Sequence, residues 1–110
     1  MRFRYDFTVN LWPSPGDVEQ ADTAIRAVLP SDPGTVVGWS KANSALTIEF
    51  DTGSRDALEG LAVCVQALNN AGVYVDGWPH QAIRPAAASA AVRDVPRAER
   101  HASVVAVTPA

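Results

Sequence analysis

Apolar and polar residues alternate without a break over residues 2–12. Phe3, Tyr5, Phe7, Val9 and Leu11 share one face, and Arg2, Arg4, Asp6, Thr8 and Asn10 share the other. A period of two marks a strand buried on one side. The spacing then becomes helical, with Val18, Ala21, Ile25, Val28 and Leu29 on one stripe. Ser14 followed by Pro15 predicts an N-cap and a first helical position. Asp17 and Glu19 fall in the first turn, where the helix dipole favours negative charge. Pro30 and the Ser31-Asp32-Pro33-Gly34 cluster end this helix.

Residues 35–40 are β-branched and aromatic, Lys41-Ala42-Asn43-Ser44 supplies a turn, and residues 45–51 alternate again through Leu46, Ile48 and Phe50. This predicts a hairpin. Ser54 is placed to cap a second helix, whose core stripe is Leu58, Leu61, Ala62, Val65 and Leu68 and whose stop is Gly72. Gly60 inside that helix costs helical stability and predicts close packing against the sheet. Val73-Tyr74-Val75-Asp76 reads as a short fourth strand, ended by Gly77-Trp78-Pro79. The predicted core is Phe3, Tyr5, Phe7, Val9, Leu11, Ile25, Leu29, Leu46, Ile48, Phe50, Leu58, Leu61, Val65 and Leu68.

The order β-α-β-β-α-β resembles the ferredoxin-like split βαβ arrangement, an α+β superfold that hosts many functions. Right-handed crossovers would place both helices on one face of a four-stranded antiparallel sheet of order 4-1-3-2. A four-stranded sheet with its helices packed differently is the alternative. The expected organisation is a domain over residues 1–83, then a connector and C-terminal arm over 84–110. The connector holds the alanine-rich run and Pro96, and the arm a β-prone segment at 102–108 with Val104, Val105 and Val107. Such a segment has no local strand to pair with, so it is expected to add to a sheet edge, on a partner subunit in preference to its own chain.

This alternation leaves a polar sheet face uncovered. It would carry Arg4, Asp6 and Thr8 from the first strand, Thr47 and Glu49 from the third, and Tyr74, Asp76 and Trp78 from the fourth. These are the candidate binding residues. The three carboxylates Asp6, Glu49 and Asp76 are a conceivable acid/base or cation group, but cross-strand pairing with Arg2 and Arg4 is the simpler role. Tyr74 and Trp78 beside arginines are compatible with stacking on single-stranded nucleic acid. Tyr5, Phe7 and Phe50 fall on the core face instead, however, so nucleic acid is not an expected partner.

Composition narrows the reading further. Twelve acidic against nine basic residues give a formal charge of -3, the wrong sign for a phosphate-tracking surface. Cys64 is the single cysteine, so no internal disulfide forms. Cys64, His80 and His101 lack metal-ligand spacing, and no metal or cofactor is expected. No secretory leader or membrane span is evident, and the expected location is cytoplasmic. No catalytic motif stands out. The expected function is therefore a non-enzymatic interaction or assembly module, a homodimer or larger homo-oligomer working through its open face and arm. The alternative is a cofactor-independent enzyme or small-molecule-binding domain of the dimeric ferredoxin-like barrel type, with Arg4, Asp6 and Tyr74 lining its pocket.

Overall fold

Backbone hydrogen-bond demand explains the order of the strands. The structure, a computed structural model, describes residues 1–76 and 100–110. Its elements are β1 (Arg2–Val9), α1 (Pro15–Val28), β2 (Val36–Ser40), β3 (Ala45–Asp51), α2 (Ala57–Asn70), β4 (Tyr74–Asp76) and β5 (His101–Pro109). They form an α+β fold with a five-stranded mixed sheet of order β2-β3-β1-β5-β4. Trp78, the expected connector and the expected boundary at residue 83 lie outside the described residues.

The four-stranded antiparallel order 4-1-3-2 is thus corrected. β2, β3 and β1 are neighbours as expected, but β5 separates β1 from β4. β4 spans three residues and β1 eight, so β4 alone would leave most of one side of β1 without hydrogen-bond partners. Such groups are costly when buried. β5 meets that demand, running antiparallel to β1 from Phe3↔Pro109 to Val9↔Ala102. β4 then lies parallel to β5 through Tyr74↔His101, Val75↔Ala102 and Asp76↔Ser103. The segment expected as an arm on a partner subunit is an interior strand of the chain's own sheet.

A register shift between Asp6 and Phe7 makes this strand fit. Asp6 pairs with Ala106 and Phe7 with Val104, which leaves Val105 as the extra residue of a β-bulge. Strict alternation would turn Val104 and Val107 to opposite faces. The bulge returns Val107 to the core side opposite Tyr5 and pushes Val105 out, where it is 62% exposed.

The core lies between the sheet and both helices. Phe3, Tyr5, Phe7, Val9, Leu46, Ile48 and Phe50 enter it from the sheet, and Ile25, Leu61, Cys64 and Leu68 from the helices. Ser14 caps α1 as expected, accepting from the Asp17 N–H, with Pro15 at the helix start. α2 is capped by Asp56 and not by Ser54. The Asp56 carboxylate accepts from the Glu59 N–H at 2.8 Å, because residues 52–55 turn first, around Gly53 at φ +68°. At its other end Gly72 takes φ +80°. There the Val73 N–H reaches the Leu68 carbonyl and the Gly72 N–H reaches Asn69, a Schellman closure.

Two expected core residues are exposed. Leu11 is 51% exposed, because β1 ends at Val9 and the chain turns away before the alternation reaches it. Leu58 is 39% exposed, on the solvent side of the first turn of α2. Val65 is partly buried at the margin of the core.

Tyr5 shows why Gly60 is glycine. The Tyr5 hydroxyl donates to the Ala57 carbonyl at 2.8 Å, holding the start of α2 to the centre of the sheet. A Cβ at position 60 would collide with that hydroxyl and lie 2.7 Å from Thr52 Cγ2.

Candidate functional site

Among the described residues the polar sides of the strands form one uncovered face, with both helices on the other. The face is largely neutralised within itself. Arg2 reaches Glu49 at 2.9 Å and Asp32 at 3.1 Å, and donates to the Gly34 carbonyl. The hydrogen bond that it donates to Glu49 holds the Arg2 guanidinium above its ordinary pKa. Backbone N–H groups, Gly34 foremost, hold the Asp32 carboxyl below the usual carboxylate range. At the centre Arg4 contacts Asp6 at 3.1 Å, and Thr47 donates to the same carboxylate at 2.7 Å. The cross-strand pairing expected of the arginines is present for Arg2 with Glu49, whereas Arg4 pairs with Asp6 along its own strand. Asp6, Glu49 and Asp76 do not converge, and no group of three His, Cys, Asp or Glu side chains suited to a metal occurs among the described residues.

Asp76 has a partner that the sequence reading did not connect with it. Its Oδ2 lies 2.9 Å from His101 Nδ1. The His101 ring stands edge-on to Tyr74, with centroids 5.5 Å apart. The His101 side chain is 16% exposed, and its backbone is pinned on the β1 side. Its N–H donates to Asn10 Oδ1 at 2.6 Å, and its carbonyl accepts from the Asn10 N–H at 3.0 Å. Arg100, the preceding residue, reaches Asp17 in the first turn of α1 at 3.3 Å. The imidazole is therefore held in one orientation by a carboxylate, an arrangement that fixes which ring nitrogen faces outward.

Thr8, Val9, Asn10, Asp76, His101 and Ser103 line a groove of about 380 Å³ that is open to solvent. Of the candidate residues, Thr8, Asp76 and neighbouring Tyr74 meet here. Arg4, Asp6, Thr47 and Glu49 lie on the β1–β3 part of the face. Val104 and Val107 pack against the core, and Val105 stands on the open face. His101, Asn10 and Ser103 were missed as site residues. The signal available was the spacing of His101 and Ser103, which share a face in any strand through 101–103.

A second hollow of about 440 Å³ lies between residues 30–33 and 51–55, but its acids are already engaged. Asp32 is held by Arg2, Gly34 and Asp51, and Asp51 by the chain's amino terminus and the Gly53 N–H. Cys64 is fully buried in α2, and burial pushes its thiol well above the ordinary range. It is placed as a packing residue and not as a nucleophile. No helix among the described residues is long and apolar enough to cross a membrane. No protein-family model matches the chain, and no curated protein or solved structure is significantly similar to it.

Proposed function

We propose that this chain is a small non-enzymatic interaction module that assembles with copies of itself through the open face of its sheet. One observation carries the reading: among the described residues a five-stranded face is left without a helix, and its two arginines are already paired with carboxylates. Covering an unpaired charge is expensive, and a face whose arginines and carboxylates already satisfy one another costs less to cover than one with unpaired charges. Val105, raised on its bulge, supplies an apolar contact in the middle of the polar surround, the usual anatomy of a contact patch. The test is sedimentation equilibrium of the wild type and Val105→Lys at micromolar concentrations. Reversible association that the substitution weakens supports the reading, and a wild type that stays monomeric refutes it.

The pinned imidazole favours a second reading, in which the groove around Asp76 and His101 takes a small polar molecule. Its volume falls within the range of about 300–1,000 Å³ common for small-molecule sites. Ligand-observed NMR screening against wild type and His101→Phe separates the two readings. Hits that vanish in the variant support the second.

A further inference from the structure

The two edges of the sheet are protected very differently. Among the described residues β4 exposes three, the last of them the charged Asp76. β2 exposes five, Val36-Val37-Gly38-Trp39-Ser40, and they contain neither a charge nor a proline. Its register with β3 is continuous from Val36↔Glu49 to Ser40↔Ala45, with no bulge to twist the edge away. Among the described residues no strand pairs with its outer side. Edge strands of stable monomers are ordinarily blunted by lysine, proline, bulges or shortness, and β2 has none of these within its span. Alternate residues of such a strand direct their N–H and C=O groups outward, ready for another strand.

We propose that β2 is a dimer seam, pairing antiparallel with β2 of a second copy across a two-fold axis at Gly38. The strand is self-complementary in that register. Val36 meets the partner's Ser40 on the open face. On the helix face Val37 meets the partner's Trp39, an aromatic to β-branched pair of the kind that stabilises antiparallel sheets. Lys41 falls opposite the partner's Thr35, so no like charges meet across the axis. Gly38 places no side chain at the crossing point.

Trp39 is already held ready for this contact. Its indole N–H donates to Asp22 at 2.7 Å, and its ring stands edge-on to Trp12 at 5.7 Å. Val36 is 48% exposed, and Leu11, beside Trp12 in the chain, is also exposed. Aromatic residues of this kind dominate the binding energy of contacts between chains. Joining two copies at β2 makes one ten-stranded sheet and leaves both open faces uncovered, so the seam is independent of contacts made through the face.

The register gives a charge test at two surface positions. Val36→Lys/Ser40→Lys places lysines opposite one another at both ends of the seam, whereas Val36→Asp/Ser40→Lys places each lysine opposite an aspartate. Sedimentation equilibrium reads the mass, and circular dichroism confirms that each variant is folded. The expected result is that the lysine pair halves the mass of the wild-type assembly and the Asp/Lys variant retains it. A lysine pair with wild-type mass, equal dissociation of both variants, or a monomeric wild type would each overturn the seam. If Val105→Lys leaves the mass unchanged while the lysine pair lowers it, the open-face contact fails and the seam stands.

Discussion

His101 Nδ1 lies 2.9 Å from Asp76 Oδ2, joining the first residue of β5 to the last residue of β4 on the open face. With the Asn10 contacts on the opposite side, this pair fixes one end of β5 to both of its neighbours. In a double-mutant cycle of Asp76→Ala and His101→Ala, urea unfolding should show a coupling of about 0.5–1.5 kcal/mol. Additive effects would mean that the pair contributes nothing to stability.

Gly60 and Tyr5 should also be coupled, through a clash that the second substitution relieves. Gly60→Ala drives a methyl group into the Tyr5 hydroxyl and Thr52, and overpacking of this kind costs about 1–3 kcal/mol. Tyr5→Phe removes the oxygen and its bond to Ala57. The double variant should therefore be more stable than the sum of the singles predicts, as read from urea midpoints.

Deleting residues 101–110 should unfold the domain. The deletion strips hydrogen-bond partners from Phe3–Val9 of β1 and removes buried Ala102 from the core. An arm on a neighbouring chain would be dispensable for folding, and an interior strand is not. Loss of the far-ultraviolet dichroism and of cooperative unfolding is the expected outcome.

What was legible in the chain was local. The alternation of 2–9 and 45–51, the turn at 41–44, the Ser14-Pro15 start and the Gly72 stop all depend on near neighbours in sequence. The place of β5 does not. It depends on how much of β1 the short β4 leaves unpaired, a quantity set by a chain segment about seventy residues away from β1 in sequence. His101 was missed for the same reason, since its partner Asp76 becomes a neighbour only once β5 lies against β4. Leu11 and Leu58 were misjudged because periodicity continues past the ends of elements, whereas burial does not.

Acid should loosen the corner around Arg2. Backbone N–H groups hold the Asp32 carboxyl below its ordinary value, with Arg2 adding to the effect. Gly53 and the amino terminus do the same for Asp51. A carboxyl depressed in the folded state contributes stability that is complete above its unfolded pKa of about 3.9 and is lost as pH falls through the folded value. Urea midpoints should drop below about pH 4, and Asp32→Asn should be less stable at neutral pH and flatter across that acid range. An unchanged acid slope in the variant would contradict the assignment.

The most direct measurement of the central claim is hydroxyl-radical footprinting of the wild type across a concentration series. Val105 reports on the open face and Leu58 on the helix side, and both are exposed in the single chain. The account predicts that Val105 becomes protected as concentration rises while Leu58 reacts at a constant rate. Equal reactivity of Val105 at every concentration would contradict assembly through the open face.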